Sequence, residues 1–301
     1  HEHIAAGGAQ YDDAFYTIDL RAVAAQYHRL VALLPRVTPF YTVKCHPDER
    51  VFKLLTRLGC GVDCASRSEI EFSIAHGVAP DKIIYANTMK QTSHLAYARD
   101  VNVPLTTFDS LDELVKVQRV FPDAHLVLRI KVDDSKARHQ FGPKFGVTLS
   151  EVPGILETAQ RLNLKVVGVC FHAGVGILDA SAFTDAIAQA KQVFTIAETF
   201  GFQLTLLNIG GGFAGNDLGP VTVEDAAVAV NAALDEHFPE SSGVRVISEP
   251  GRYFVSACAA LHLNVIGRKL DPELTNKAND QLDAPHPELP RYMYILNDGA
   301  H

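Results

Sequence analysis

Eight short apolar runs alternate with seven helical stretches along most of this chain, and that alternation limits what it can fold into. Strand composition recurs at residues 39–44, 61–66, 83–87, 105–109, 125–132, 166–172, 204–211 and 245–251. Between these runs, residues 48–58, 68–76, 93–99, 111–120, 151–162, 180–200 and 223–238 carry the apolar spacing of amphipathic helices. A regular strand–helix repeat builds a parallel sheet with helices laid on it. Eight even units, with no Gly-rich turn after the first strand, predict a closed (β/α)8 barrel of the TIM type. An open doubly wound sheet is the alternative that this spacing disfavours.

The repeat breaks after Arg252. Residues 253–269 are apolar and β-branched with no further helix, 271–290 are polar and Pro-rich like a mobile loop, and strand composition resumes at 291–296. A second, β-rich domain is expected here. It is expected to be incomplete in this chain, because the glycine turn after a strand at Asn297-Asp298-Gly299 is a poor place for a domain to end. The opening run Phe15–Leu20 has strand composition, and a helical pattern over 22–34 follows it until Pro35. The expected division is residues 1–34 associated with the β domain, 35–252 as the barrel, and 253–301 as the partial β domain.

A formal net charge of −8 without any Lys/Arg cluster argues against a nucleic-acid or anionic-membrane partner. No apolar segment is long enough to span a bilayer, and residues 1–8 lack the basic-then-apolar pattern of a secretory leader. The five cysteines (Cys45, Cys60, Cys64, Cys170 and Cys258) are odd in number and lack metal-type clustering. They fit a reducing compartment, with the cytoplasm as the expected address and no metal site.

In a TIM barrel the C-terminal strand ends share one mouth, so unusual residues there belong together. The first strand, Pro39-Phe40-Tyr41-Thr42-Val43-Lys44-Cys45, delivers Lys44, and the second carries Asp63. The sixth ends in His172, the seventh runs into Gly210-Gly211-Gly212, and the eighth ends in Glu249-Pro250-Gly251-Arg252. Taken singly, each has a plainer reading. Lys44 suits a strand end whose cation snorkels to water, the glycines a tight turn, Glu249 and Arg252 ion pairs, and His172 a satisfied structural histidine. Taken together they are the parts needed to hold pyridoxal 5'-phosphate. Glycine N–H groups and Arg252 cup the phosphate, Glu249 keeps a ring nitrogen protonated, His172 offers a flat face, and Lys44 anchors the aldehyde covalently.

Residues 34–45, Asp63-Cys64-Ala65-Ser66, Ile84-Tyr85-Ala86-Asn87, Thr107-Phe108-Asp109-Ser110, Lys144-Phe145-Gly146, Ile209-Gly210-Gly211-Gly212-Phe213 and Ser248-Glu249-Pro250-Gly251-Arg252-Tyr253 carry a family resemblance. They resemble the pyridoxal-phosphate decarboxylases of the alanine-racemase fold, and within them the eukaryotic ornithine decarboxylases. Residues 137–146 are nearer the plant branch, and the resemblance covers nearly the whole chain. It implies that Lys44 holds the cofactor aldehyde with Asp63 beside it, and that His172 stacks over the ring. It further implies that Glu249 pairs with the ring nitrogen, and that Gly212 with Gly251-Arg252 holds the phosphate. The implied activity is decarboxylation of a basic amino acid, L-ornithine giving putrescine and CO2, in a homodimer with shared active sites. A broader lysine/ornithine decarboxylase, an arginine or diaminopimelate enzyme, and a catalytically dead binding protein of the antizyme-inhibitor kind are the alternatives.

Two departures from that family stand out. Val175, in His172-Ala173-Gly174-Val175-Gly176, occupies the place of a serine whose hydroxyl usually helps bind the phosphate. Losing one hydrogen bond to a charged group costs about 1.5–3 kcal/mol. The family's catalytic cysteine, its acidic residues for the substrate's distal amine and a phosphate-binding tyrosine are expected beyond His301.

Overall fold

The computed structural model describes residues 13–141, 144–216, 219–270 and 292–298. They divide into two compact units, one formed by Leu20–Cys258 and the other by the described residues before Leu20 and after Cys258. The loop expected at 271–290 lies outside the described residues.

In chain order, β1 (Phe15–Ile18) belongs to the smaller unit, and α1 (Leu20–Leu33) opens the larger one. The repeat follows as β2 (Val37–Thr42), α2 (Glu49–Leu58), β3 (Gly61–Cys64), α3 (Arg67–Ala75), β4 (Ile83–Tyr85), α4 (Thr92–Asp100), β5 (Leu105–Phe108), α5 (Leu111–Val120) and β6 (His125–Arg129). It continues with β7 (Ala137–His139), α6 (Val152–Arg161), β8 (Lys165–Cys170), β9 (Val175–Ile177), α7 (Ser181–Thr199), β10 (Leu206–Asn208), α8 (Val223–His237), β11 (Arg245–Ser248) and the single-turn α9 (Arg252–Val255). Strands β2, β3, β4, β5, β6, β8, β10 and β11 form a closed barrel, all of them parallel, with β11 pairing back onto β2. This is the TIM-type barrel the alternation predicted, and each of the eight apolar runs supplies one strand.

Closure follows from what the strands place inside. Phe40, Ile84, Val127, Cys170, Leu206 and Ile247 come from six different strands and form one buried cluster, which a closed barrel permits only in its interior. Gly61 makes room for the largest of them, since a Cβ there would stand 2.5 Å from the Phe40 ring. Local signals start and stop the helices around this core. The Asp48 carboxylate accepts from the N–H groups of Arg50 and Val51 at 2.9 and 3.1 Å to cap α2, and Gly59 ends that helix at φ +116°. A reciprocal pair between Thr222 and Asp225 caps α8.

One buried ion cluster stabilises the barrel's β4–α4 loop. Lys90 is fully buried, with its ammonium 2.9 Å from Glu113 Oε1 and donating to the carbonyls of Thr107 at 2.6 Å and Asn87 at 3.0 Å. Lys116 holds the other oxygen of Glu113 at 2.5 Å. Burial pulls the Lys90 ammonium below its usual range while Glu113 opposes that shift. Glu113→Ala would leave a buried cation without its partner and is expected to lower unfolding stability by about 3–5 kcal/mol, measured by urea denaturation. An unchanged urea midpoint would show that Lys90 finds water or another acceptor.

In the smaller unit, β1 pairs antiparallel with β12 (Ala259–His262), and the Phe15 ring stacks on His262 with centroids 4.7 Å apart. Strand β13 (Val265–Leu270) pairs antiparallel with β14 (Tyr292–Leu296). The helix after β1 lies with the barrel rather than with these strands. Val23 and Leu30 are buried, Gln26 donates to the Gly215 carbonyl at 2.9 Å, and the Tyr253 hydroxyl donates to the Gln26 carbonyl at 3.0 Å. Tyr253 sits on α9, so that turn also stays with the barrel, and the units divide at Asp19/Leu20 and Cys258/Ala259.

Candidate active site

The first barrel strand ends at Thr42, and Lys44 sits two residues later in a 3-10 turn spanning Val43–Cys45. The lysine therefore projects from a turn beyond the strand that sequence composition had extended to it. Its ammonium is 3.7 Å from Asp63 Oδ2 on the neighbouring β3, with Lys44 about half exposed and Asp63 buried. The Asp63 charge raises the Lys44 pKa above its ordinary value. Burial raises the Asp63 carboxyl, while Lys44 and a 2.9 Å hydrogen bond from the Thr42 hydroxyl hold it down.

Lys44, Asp63, His172, Gly212, Glu249, Pro250, Gly251 and Arg252 all line one open cavity of about 1270 Å3 at the C-terminal end of the barrel. Gly210 and Gly211 are buried and do not line it. Gly212 has φ +99°, and a Cβ there would fall 2.6 Å from the Gly174 carbonyl, so only glycine fits. The loops after β6 and β8 add a small antiparallel pair, β7 with β9, in which His139 lies opposite Val175, and Arg138, His139, Val175 and Gly176 reach the cavity.

His172 follows β8. The Gly174 N–H points at its Nδ1 at 3.2 Å, which leaves the ring proton on Nε2. Phe141 meets the imidazole edge-on with centroids 4.8 Å apart. Burial first, then the Arg129 and Lys44 charges, pulls the His172 pKa down to about 3, so the ring is neutral at physiological pH. Glu249 follows β11, and Asn208 donates to its Oε1 at 2.7 Å. Burial and then the Asp63 charge push the Glu249 carboxyl up to about 7, against the Asn208 hydrogen bond, Lys44 and Arg129.

These shifts act on stability in opposite directions. Glu249, raised from 4.5, contributes to the native state below pH 4.5 and loses that contribution as pH rises through about 7. His172, lowered from 6.5, contributes above pH 6.5 and loses it as pH falls through about 3. Thermal melts of the cofactor-free protein across that range should therefore separate them. Glu249→Gln is expected to remove the loss on the neutral side, and His172→Gln the loss on the acid side. Parallel melting curves for both variants and the wild type would refute the two shifts.

The residues fit a phosphorylated aromatic aldehyde. Asp63 Oδ1 is buried without a hydrogen-bond partner, and the Arg252 guanidinium lines the cavity with no ion pair among the described residues. An amine, a carboxylate with a free oxygen, a neutral imidazole and an unpaired guanidinium beside a glycine turn match the aldehyde, the ring and the phosphate of pyridoxal phosphate. Two residues of this site carry no role in the sequence reading, Arg129 in the cavity wall and Asn208, which is fully buried and bonded to Glu249. Arg129 closes β6 and lines the cavity, with its guanidinium 4.5 Å from the Phe145 ring centroid. A lone cation ending an apolar strand is the same signal that marked Lys44. Asn208 left no such mark, because a polar residue before glycines reads as part of a turn.

Comparison with known proteins agrees with this chemistry. Residues 20–256 match the family described as pyridoxal-dependent decarboxylase, pyridoxal binding domain. The chain is 45% identical over 289 residues to antizyme inhibitor 2 of Xenopus laevis, and 43% identical over 289 residues to the ornithine decarboxylase of Rattus norvegicus. Each match covers 96% of this chain and 62% of the relative, so the chain spans less than two thirds of the length of these curated relatives. The arginine decarboxylase of Paramecium bursaria Chlorella virus shares its structure with a TM-score of 0.81 at 37% identity, over 86% of this chain and 70% of that one. The chain therefore belongs to the pyridoxal-dependent decarboxylases and carries their pyridoxal-binding domain, with pyridoxal 5'-phosphate as the cofactor.

Proposed function

We propose that this protein is a carboxy-lyase acting on a basic amino acid, with L-ornithine as substrate and putrescine and CO2 as products. The observation that carries the reading is the convergence of Lys44, Asp63, His172, Glu249 and Arg252 on one cavity. When bound, pyridoxal phosphate supplies an electron sink for the pair released as the carboxylate leaves. Lys44 would be the amine that holds the cofactor's aldehyde carbon. Asp63, 3.7 Å from Nζ, pairs with the ammonium and keeps the lysine oriented. His172 would pack against the ring as a neutral group and add no positive charge to it. Glu249 would pair with the ring nitrogen and keep it protonated, while Arg252, Gly251 and Gly212 would hold the phosphate. Ornithine is supported over other substrates by the identity to ornithine decarboxylases of Rattus norvegicus and Neurospora crassa, 43% in both cases.

A homodimer with shared sites in the cytoplasm completes the proposal. No disulfide joins the five cysteines among the described residues, which suits a reducing compartment. No helix among the described residues is long and apolar enough to cross a membrane. Sedimentation of the purified protein at twice the chain mass supports the dimer, and a monomer at all concentrations excludes it.

A second reading, a binding protein without turnover, is favoured by the identity to antizyme inhibitor 2 and by Val175 at the cavity wall. Release of labelled CO2 from ornithine, lysine, arginine and diaminopimelate by the protein from its native source separates the two. Fastest release from ornithine is expected. Faster release from another substrate reassigns the specificity, and no release from any of them, with cofactor bound, selects the second reading.

A further inference from the structure

Asn208 ends β10 and is completely buried. Its side-chain oxygen accepts the Gly210 N–H at 2.9 Å, and its amide nitrogen stands 2.7 Å from Glu249 Oε1. The Glu249 N–H in turn donates to the Gly210 carbonyl at 2.7 Å. Three hydrogen bonds thus tie the glycine turn after β10 to the acid after β11. The orientation of the amide is forced, because a flipped Asn208 would set its NH2 against the Gly210 N–H, donor against donor. Nδ2 therefore donates, and Glu249 Oε1 can only accept. Any proton on Glu249 then rests on Oε2, which has no hydrogen-bond partner among the described residues and belongs to a side chain lining the cavity.

We propose that Asn208 is a positioning residue that reserves Glu249 Oε2 for the ring nitrogen of the cofactor, by holding Oε1 as an acceptor and pinning the carboxylate to the glycine turn. The inference rests on the reading above, in which Glu249 faces that nitrogen. It assigns a reason for an amide at this position. Aspartate would keep the acceptor for Gly210 but replace the donor with a second carboxylate. Two carboxylates at this spacing share one proton at lower pH, which restores a hydrogen bond, and repel when both are ionised.

The test compares equilibrium dialysis of pyridoxal phosphate with that of an analogue carrying carbon in place of the ring nitrogen. Asn208→Asp is expected to bind pyridoxal phosphate about tenfold more weakly than wild type at about pH 8.5 and to recover near pH 6, through loss and return of one charge-assisted hydrogen bond. Its affinity for the carbon analogue should equal that of the wild type at both pH values. Equal weakening toward both cofactors would make Asn208 a purely structural residue and overturn the proposal, as would wild-type affinity for pyridoxal phosphate at the higher pH. Glu249→Gln separates the two possible failures. If it weakens pyridoxal phosphate but not the carbon analogue while Asn208→Asp does neither, only the role of Asn208 falls; if it does not discriminate, the ring-nitrogen reading falls as well. In the wild-type apoprotein, the Asn208 side-chain amide resonance should shift as Glu249 ionises, and an amide silent over that range overturns the proposal without recourse to any variant.

Discussion

Lys44→Ala protein, mixed with pyridoxal phosphate, is expected to lack the visible absorbance band that the wild type shows, and to lose turnover by about three orders of magnitude. That loss lies at the centre of the roughly hundred- to ten-thousand-fold range for removing a positioned proton-transfer group, and Lys44 serves both as anchor and as proton carrier. Geometry makes this lysine the amine for the task. It leaves a 3-10 turn at the cavity wall, half exposed, with Asp63 buried 3.7 Å away. Asp63 raises the lysine pKa, so the resting amine is charged and must lose a proton before it can attack an aldehyde. The buried Asp63 carboxylate, itself raised by desolvation, is the acid–base group paired with that amine. Lys44→Arg keeps the charge beside Asp63 but supplies no amine, and it should fail as completely as alanine. Borohydride treatment of the wild type should fix the cofactor to a single peptide containing Lys44. A band that survives in Lys44→Ala, or label on another lysine such as Lys144 at the same cavity, would move the anchor elsewhere.

The barrel was legible because strands buried on both faces write themselves as unbroken apolar runs, and four of the seven helices between them carry a side-chain N-cap. Thr222 with Asp225, or Asp48 before α2, are signals that need no tertiary context. The mouth was legible for a different reason. A charge at the end of an apolar strand is expensive unless it has work to do, and the barrel geometry collects all such ends in one place. What escaped the sequence depends on pairing across the fold. The assignment of α1 to the barrel rests on Gln26 meeting Gly215 and Tyr253, far along the chain. The β7–β9 pair is three residues a side, too short for a periodic signal, yet it brings Val175 opposite His139 at the cavity. The Lys90–Glu113–Lys116 cluster joins a loop to a helix face, and any of the three alone looks like ordinary surface charge.

Arg252→Ala is expected to weaken pyridoxal phosphate binding by about 100-fold while leaving unphosphorylated pyridoxal unaffected. A hydrogen-bonded charge on a phosphate is worth about 1.5–3 kcal/mol, or roughly 10- to 150-fold in affinity. The expected loss sits high in that interval because of two features of this cavity. Arg252 has no protein counter-ion among the described residues to compete for it, and Val175 offers no hydroxyl to share the load. Val175 lies on β9 at the cavity wall, next to Gly176 and facing the same space as Gly212. A serine there should add a donor, so Val175→Ser is expected to tighten pyridoxal phosphate by about tenfold in the otherwise unchanged protein. The double variant carries the argument. If both side chains address the same phosphate, Val175→Ser should recover part of the Arg252→Ala loss, and the two effects should not add. Strict additivity would place them on different groups. Equal weakening toward pyridoxal and pyridoxal phosphate in Arg252→Ala would show that the arginine supports the fold of α9, where Tyr253 ties it to α1, and holds no phosphate.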